Sequence, residues 1–300
     1  MRGQSRFIAL MLTPAFLALA LFYAYPTLYN LGISFTDLNL LRLRRGGDFI
    51  GLDNYHELMT SRDFGQVLFN TVVWLTLLSV TLRLVIGLLM ALLLNSPVLS
   101  RLKLATAAKL AIVVPWATPP IVAVIVWRFM LDPQNGIVNA ALLKLGIVDD
   151  PIAFLADLRT VWPAVTAIIV WNTVPLITLS LLASMQSIPE ELNEAAAIDG
   201  ATRFQQFRFV TLPFLVPTIV VLCLMSVFWT FNNFVYVWLA TGAGPGTFTN
   251  VLATEVYIKG FVDFRLGYSA AVGVVMALIM AAFGVVYFRL VGRRQLEEGF

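Results

Sequence analysis

The sequence predicts an all-α, polytopic membrane protein with six transmembrane helices. Of its 300 residues, 59% are hydrophobic and only 12% are charged, whereas about 25% of the residues in a soluble domain carry charge. The few charges also leave long uncharged runs, and each run can supply the roughly 20 apolar residues that cross a bilayer as a helix. We therefore expect lipid to contact most of the surface.

The uncharged runs and their interruptions place the six helices. The first run, 7–36, is too long and too poor in small-residue cleavage sites for a signal peptide, so we expect a retained helix there. Two further runs meet at Arg83 without room for a loop, which predicts a single helix. The glycine-rich segment TGAGPGTFTN, residues 241–250, ends the fifth helix near Leu239. The predicted spans are approximately 7–30, 67–94, 106–130, 161–185, 213–239 and 267–290.

These spans divide the chain into three parts. Residues 1–66 hold the first span and the first external loop, residues 67–290 form a core transmembrane domain, and residues 291–300 form a tail. An even number of spans puts both termini on one side of the membrane. Lys and Arg are divided almost equally between the two sides, but the short loop that contains Arg101 and Lys103 favours cytoplasmic termini under the positive-inside rule.

The sequence lacks the residues that several classes of function need. One cysteine, Cys223, and one histidine, His56, exclude an internal disulfide and a cysteine or multi-histidine metal site. No predicted span contains the Asp or Glu expected of an ion-driven transporter, nor the paired acids or H-E-x-x-H motif of an intramembrane enzyme. There is no G-x-x-x-x-G-K-S/T motif for ATP, and a net charge of +3 indicates no nucleic-acid partner.

A polar insert, EAAAIDGATRFQQFRFVTLP at 194–213, separates two long apolar runs. Upstream of it, Ser187 suits an N-cap, Pro189 the first turn and Glu190 the third helical position of a capping box, so a helix is predicted to begin there. The three alanines favour its continuation, and Gly200 suits the left-handed position that ends a helix.

The second half of the insert predicts another short helix. Residues 201–209 would form it, with Phe204 and Phe207 on neighbouring turns, before Pro213 opens the next span. The loop 187–212 is therefore predicted to form a helical hairpin at the membrane surface. Two functions fit such a hairpin: it rests on lipid as an amphipathic element, or it docks a soluble partner.

The spacing of this insert resembles a known motif. The inner-membrane permease subunits of binding-protein-dependent ABC importers carry E-A-A, three residues, G, nine residues and I-x-L-P in their last cytoplasmic loop. Here residues 194–196 match E-A-A, Gly200 follows three residues later, and VTLP at 210–213 matches the end with valine for isoleucine. The resemblance extends over nearly the whole chain, to the larger permease partner of the carbohydrate (maltose and glycerol-phosphate) branch. It includes FIGLDNYHELM at 49–59, VVPWATPP at 113–120, SIPEELNEAAAIDGA at 187–201, FNNF at 231–234 and TGAGPG at 241–246.

The resemblance implies the type I ABC importer permease fold, with a coupling helix in the loop 187–212 that docks on a separate ATPase. The implied coupling residues are Glu194, Ala195, Ala196, Asp199, Gly200 and Phe204. The implied partners are a second permease subunit, two ATP-binding subunits that hold ATP and Mg²⁺, and an extracytoplasmic solute-binding protein. The chain itself would bind no cofactor, would be no enzyme, and would lie in the cytoplasmic membrane with both termini in the cytoplasm. The implied cargo is a sugar or sugar derivative; the alternatives are a non-sugar solute such as an amino acid, or a secondary transporter.

The fifth span holds the clearest candidates for contact with a sugar. Trp229, Asn233 and Tyr236 stand at i, i+4 and i+7, so they would share one face of a continuous helix, and Asn232 lies beside that face. Aromatic faces suit a sugar ring, and side-chain amides that both donate and accept hydrogen bonds suit its hydroxyl groups. The alternative is that these polar residues hold neighbouring helices together.

The resemblance to the maltose-type permease supports some of these residues and adds others. The positions that match its sugar site are Trp229, Thr230, Asn233 and Thr173. Trp171 in the fourth span and Trp116 in the third are further candidates. Leu176 stands where that permease has a tyrosine, so we expect a different pocket shape.

Two other groups of residues have predicted places. Trp127, Trp162 and Trp238 are expected in the aromatic belt at the membrane surface. Arg83 lies near the middle of the second span with no acid in the same span, so it should face the protein interior, a polar cavity or the partner permease. Its role would be structural, or it would bind the phosphate of a sugar phosphate.

Overall fold

The described part of the chain is almost entirely helical. The computed structural model describes residues 2–96 and 105–289, and within these residues it contains no β-strand, only two isolated β-bridges. The loop that contains Arg101 and Lys103 and the tail at 291–300 lie outside the described residues. The prediction of an all-α chain is confirmed for the part that the structure describes.

The helices belong to two compact units, one of residues 1–65 and 252–282 and the other of residues 66–251 and 283–300. In chain order, the α-helices are α1 (Arg2–Leu19), α2 (Tyr25–Ile33), α3 (Asp53–Thr60), α4 (Phe64–Phe69), α5 (Ser79–Leu94), α6 (Ala105–Ala117), α7 (Pro120–Met130), α8 (Ile137–Lys144), α9 (Val161–Gln186), α10 (Glu190–Ile198), α11 (Arg203–Gln206), α12 (Leu212–Phe231), α13 (Val235–Thr241), α14 (Leu252–Tyr257) and α15 (Leu266–Tyr287). The π-helical stretches that continue neighbouring helices are Ala20–Ala24, Asn70–Leu78, Phe207–Thr211 and Ile258–Val262, and a 3-10 helix lies at Leu40–Arg45.

The predicted number of transmembrane helices is confirmed when one bent pair counts as a single span. Among the described residues, five helices are long and apolar enough to cross a bilayer: Leu10–Ile33, Phe64–Leu94, Val161–Gln186, Arg203–Phe231 and Leu266–Tyr287. The remaining span, third in chain order, consists of two helices, Thr106–Ala117 and Pro120–Met130. These two helices are bent by 99° relative to each other.

The third span is therefore not the single helix that the sequence predicted at 106–130. Pro119 and Pro120 have no N–H, so the carbonyls of Pro115 and Trp116, four residues earlier, lose their helical donors. The side-chain amide of Asn172 in α9 replaces part of this loss: its Nδ2 donates to the Pro115 carbonyl over 2.6 Å and to the Thr118 carbonyl over 3.1 Å. The bend is thus built from two prolines and one buried amide.

The fifth span also differs from the prediction at both ends. The helix runs without interruption from Arg203 to Phe231, so the separate short helix expected at 201–209 is wrong. Pro213 lacks an N–H, and the π-helical stretch that precedes it bonds the N–H of Leu212 to the carbonyl of Phe207, which carries the helix into the proline. The span then ends at Phe231 rather than near residue 239, and α13 follows as a separate helix.

Helix α9 forms the core of the second unit. Of its most apolar stretch, 67% is buried, and it contacts α5, α6 and α12. An apolar cluster joins three of these helices and consists of Ala91, Leu94, Ile177, Leu181, Leu182, Met185 and Leu215. The approach of α5 to α9 is close enough that a Cβ atom on Gly87 would lie 2.7 Å from Cγ2 of Ile177. Any larger residue at this crossing would force Ile177 or its helix to shift.

Trp162 lies inside this unit rather than at the membrane surface. Its side chain is 1% exposed, and its ring stacks on Trp74 with 6.0 Å between the ring centroids. The prediction of Trp162 as a residue of the aromatic belt is therefore wrong. A stacked aromatic partner on the second span covers its large apolar surface instead.

The first unit is held by polar contacts outside the spans. Nδ2 of Asn54 in α3 donates to the carbonyls of Ser34 and Thr36 over 2.9 and 2.8 Å. Both Nη atoms of Arg265 donate to the carboxylate of Glu57 at 2.6 Å. This bidentate pair lowers the pKa of Glu57, mainly through the hydrogen bond from Arg265, and raises the pKa of Arg265.

Candidate functional site

A cavity of about 350 Å³, with several polar side chains in a mostly apolar wall, lies within the second unit, inside the size range of small-molecule sites. Helices α5, α6, α7, α9, α12 and α13, with the turn between α6 and α7 and the break before α13, contribute to its wall. The lining residues are Arg83, Trp116, Thr118, Pro120, Ile169, Asn172, Thr173, Leu176, Ile177, Ser226, Trp229, Thr230, Asn233 and Tyr236. Among the described residues, none that lines this cavity is acidic.

A layer of buried, mutually bonded side chains forms part of the cavity wall. The amide oxygen of Asn172 accepts the hydroxyl proton of Tyr236, while its Nδ2 holds the bend of the third span. On the other side, Nη2 of Arg83 donates to the hydroxyl of Thr230, and its Nε donates to the carbonyl of Ser79 over 3.3 Å. One group of these bonds joins α9 to α6 and α13, the other joins α5 to α12, and together they fix the cavity's polar groups in place.

Two tryptophans and one asparagine offer the accessible surface of the cavity. The side chains of Trp116 and Trp229 are 53% and 55% exposed, so their ring faces are available to a ligand. Oδ1 of Asn233 accepts the backbone N–H of Tyr236 over 3.1 Å and caps the start of α13. The Nδ2 of Asn233 has no hydrogen-bond partner in the described part of the chain, so it can donate to a ligand hydroxyl.

The structure brings most of the predicted substrate residues together and leaves two out. Those that line the cavity are Trp116, Thr173, Trp229, Thr230, Asn233 and Tyr236. Trp171 instead contacts Trp127 edge to face, with 5.8 Å between ring centroids. Asn232 is exposed and donates to the carbonyl of Phe228, four residues back in its own helix. Neither of these two residues lines the cavity.

Trp229, Asn233 and Tyr236 line the same cavity, as predicted, but the helical spacing from which they were grouped is not the cause. They do not share the face of a continuous helix, because α12 ends at Phe231 and α13 begins at Val235. The break turns the chain at the cavity wall, and the Asn233 cap restarts the helix with Tyr236 directed at Asn172. Proximity thus comes from the break rather than from helical periodicity.

Some cavity residues did not emerge from the sequence pattern. Asn172 stands between the candidates Trp171 and Thr173, and its amide positions other residues instead of facing a ligand. Thr118 and Ser226 are ordinary polar residues within apolar runs and carried no distinguishing signal. The pair Pro119-Pro120 did carry one, since two missing N–H groups in a span require an external donor, and the amide of Asn172 is that donor.

The loop 187–212 contains two helix ends whose caps differ from the prediction. Ser187 does not start a helix; it is the C-cap of α9, and its hydroxyl donates to the carbonyl of Ser184 over 2.8 Å. Helix α10 begins at Glu190, after Pro189, without a side-chain cap. The capping box belongs to Thr202 and Gln205 at the start of α11: the side chain of each accepts the backbone N–H of the other.

Gly200 ends α10 as predicted. Its φ is +80°, in the left-handed region that side chains disfavour. The N–H of Ala201 donates to the carbonyl of Ala196 over 2.9 Å and that of Gly200 to Ala197 over 3.1 Å, which is the bonding pattern of a Schellman motif.

The predicted coupling residues lie on an accessible surface. Glu194, Ala195, Asp199, Gly200 and Phe204 are exposed, and Ala196 is half-buried. Two large apolar side chains on this surface are highly exposed: Phe204, one of the predicted residues, at 71%, and its neighbour Ile198 at 87%. Exposed apolar residues on an otherwise polar surface are typical of an interaction site.

Long apolar helices around a cavity that holds buried polar side chains are typical of a polytopic membrane protein. The described residues contain no group of three or more His, Cys, Asp or Glu side chains that could hold a metal ion. The chain belongs to the family of binding-protein-dependent transport system inner membrane components, whose family model matches residues 83–295. It is therefore a multi-pass permease component of the inner membrane, as the motif in the loop 187–212 predicted.

The chain is similar to permeases of two named sugar systems. It is 33% identical over 293 residues to the diacetylchitobiose uptake system permease DasB of Streptomyces coelicolor, which covers 96% of this chain and 88% of that protein. It is 34% identical over 248 residues to the trehalose/maltose transport system permease MalF of Thermococcus litoralis, with 82% of this chain and 80% of that protein covered.

A solved structure has the same fold. A chain of a bacterial alginate ABC transporter, in complex with a periplasmic protein bound to an alginate pentasaccharide, superposes with a TM-score of 0.84. The two chains are 24% identical, and the match covers 97% of this chain and 96% of that one. The expected type I ABC importer permease fold is therefore confirmed.

Proposed function

We propose that the chain is one permease subunit of an ATP-driven importer for a sugar or sugar derivative, and that the 350 Å³ cavity is part of its substrate path. The observation that carries this proposal is the composition of the cavity. Exposed faces of Trp116 and Trp229 can stack on a sugar ring, and the free Nδ2 of Asn233 can bond a hydroxyl. The names of the two sugar-system relatives support the same substrate class.

The partners follow from what the chain lacks and what it exposes. The sequence has no nucleotide-binding motif, so ATP and Mg²⁺ are bound by two separate ATPase subunits. A second permease supplies the other half of the path, and an extracytoplasmic solute-binding protein delivers the cargo. The membership of a binding-protein-dependent family supports the last of these partners.

The surface of α10 is the proposed contact with the ATPase. Exposed Ile198 and Phe204 supply apolar area, and the alanine-rich helix lets another surface approach closely. The residues Glu194, Ala195, Ala196, Asp199 and Gly200 complete this surface. It lies in the cytoplasm, and both termini lie on the same side. ATP then drives transport by favouring one conformation of the permease pair, since a ligand shifts an equilibrium only through a difference in affinity.

The cavity assignment is tested by uptake into proteoliposomes. The assembled importer, with ATP inside and its solute-binding protein outside, is offered radiolabelled maltose, trehalose, diacetylchitobiose, glucuronate and leucine. We expect accumulation of at least one sugar or sugar derivative and none of leucine. Replacing Trp229 with alanine should lower the initial rate about tenfold, which corresponds to the ~1.4 kcal/mol of a lost aromatic contact.

Trp171→Ala is the matched control for this experiment. Trp171 is a partly exposed tryptophan of a neighbouring span that does not line the cavity, so its removal should change the uptake rate less than twofold. Equal losses in the two variants, or accumulation of leucine in place of any sugar, would contradict the proposed substrate path.

A further inference from the structure

Arg83 is a cation buried within a membrane-spanning segment. It lies in the apolar stretch Phe64–Leu94, and its side chain is only 3% exposed. A charged group in such a place is costly unless it faces a cavity or meets an opposite charge. Arg83 lines the 350 Å³ cavity, so the first condition is met.

The second condition is not met by the described part of the chain. None of the ion pairs among residues 2–96 and 105–289 involves Arg83, and no lining residue of the cavity is acidic. The guanidinium has five N–H donors. In the described residues it uses one for the carbonyl of Ser79 and one for the hydroxyl of Thr230.

The neighbours of Arg83 fix its position without neutralising its charge. Thr230 and Ser79 hold it from α12 and α5, and both of these partners are neutral. Asn172 and Tyr236, the other buried polar residues of the cavity wall, are bonded to each other. The remaining guanidinium donors are therefore not claimed by the cavity's own side chains.

We propose that the cavity binds an anionic sugar derivative, with Arg83 as the residue that selects its carboxylate, phosphate or sulfonate group. This inference rests on the proposed function and narrows its substrate class. A guanidinium forms short, charge-assisted bonds to planar or tetrahedral oxyanions, while Trp116 and Trp229 contact the ring. A neutral sugar would leave the buried charge uncompensated.

Binding to the assembled importer in nanodiscs tests the charge preference. Isothermal titration compares glucose with glucuronate, which has the same ring but a carboxylate in place of the hydroxymethyl group, at equal ionic strength. We expect glucuronate to bind at least about tenfold more tightly, as a hydrogen bond to a charged group predicts. Equal affinities, or no binding of either compound, overturn the inference.

Variants assign the preference to Arg83. Arg83→Gln keeps a donor for Thr230 but removes the charge. The variant should therefore bind glucuronate and glucose with about equal affinity. Arg128→Gln is the matched control, since Arg128 also bonds a neighbouring helix, through Nη1 to the carbonyl of Leu239 at 3.1 Å, but does not line this cavity. A preference that survives Arg83→Gln, or disappears in Arg128→Gln, contradicts the assignment.

A crystallographic measurement on the unaltered importer does not depend on either variant. Crystals grown in sodium bromide should show anomalous scattering from a bromide ion within about 4 Å of the Arg83 guanidinium, the usual reach of an ion pair. A carboxylate of the partner permease at that distance, or no bromide, overturns the inference. If neutral sugars bind as well as charged ones, the proposal of a sugar importer stands and only the anion preference is contradicted. If bromide binds at Arg83 but the importer takes up no sugar, the anion site stands and the sugar importer is contradicted.

Discussion

The Asn172 side chain is the polar centre of the second unit, and its loss should be the most damaging single change to the cavity. Its Nδ2 donates to the carbonyls of Pro115 and Thr118 at 2.6 and 3.1 Å, and its Oδ1 accepts the hydroxyl of Tyr236. The substitution Asn172→Leu keeps the volume but removes all three bonds. The Pro115 carbonyl then keeps only the backbone N–H of Thr118, at 3.2 Å, and both carbonyls at the bend lose their side-chain donor.

The number of bonds sets the size of the expected effect. Side-chain hydrogen bonds between membrane helices contribute about 0.6 kcal/mol on average and about 1.7 kcal/mol at most, so three of them predict a loss of roughly 2–5 kcal/mol. The buried position of Asn172, at 4% exposure, favours the upper part of this range because water cannot replace the lost donor.

Unfolding in mixed micelles measures this loss. The free energy of unfolding is obtained by titrating SDS into the purified protein and following tryptophan fluorescence. Asn232→Leu is the control, because Asn232 is exposed and makes one bond to its own helix; its effect should stay below about 0.6 kcal/mol. If Asn172→Leu destabilises the protein no more than Asn232→Leu, the reasoning about the bend is refuted.

Two further predictions concern packing and charge. Gly87→Ala should lower the free energy of unfolding by about 1–3 kcal/mol through overpacking, since the new Cβ would lie 2.7 Å from Cγ2 of Ile177. The control Gly65→Ala adds a Cβ that meets nothing within 4 Å, so it should stabilise helix α4. Equal effects of the two substitutions on the free energy of unfolding would contradict this. The hydrogen bond from Arg265 lowers the pKa of Glu57 below 4.5, so the pair stabilises the folded state above that pH, by about 1 kcal/mol or less at an exposed site, and loses this contribution as the pH falls through the lowered pKa. The melting temperatures of the wild type and Glu57→Gln should therefore differ at pH 7 and converge as the pH falls through the lowered pKa of Glu57; a difference that persists in acid would show that protonation of Glu57 is not involved.

The number of spans and the motif of the polar insert could be predicted because both depend on local sequence. Long uncharged runs need only lipid to be stable as helices, so residues 67–94 and 161–185 correspond closely to the observed helices. Gly200 could be assigned to a helix end because its role requires only its own backbone conformation. Ser187 misled the prediction, since α9 continues far enough to make it a C-cap instead of an N-cap.

The cavity could be predicted only in part because its geometry depends on contacts between distant segments. The double proline at 119–120 signals a break, but the direction of the bend depends on Asn172, more than fifty residues later. Trp171 and Thr173 are almost adjacent in sequence, and helical rotation places only Thr173 at the cavity. Arg83 was recognised as unusual, while its contact with Thr230 required the packing of α5 against α12 to be known.

The claim that α10 couples an ATPase to sugar uptake is tested most directly by ATP-dependent accumulation of sugar in proteoliposomes. Gly200→Trp places a large side chain beside the proposed docking surface, and Gly146→Trp makes the same change at another glycine with positive φ, +66° against +80°, and open surroundings. The account predicts that Gly200→Trp lowers ATP-driven uptake at least about tenfold, equivalent to ~1.4 kcal/mol, while Gly146→Trp does not and both proteins insert and assemble. Full uptake by Gly200→Trp, or accumulation without ATP, would contradict it.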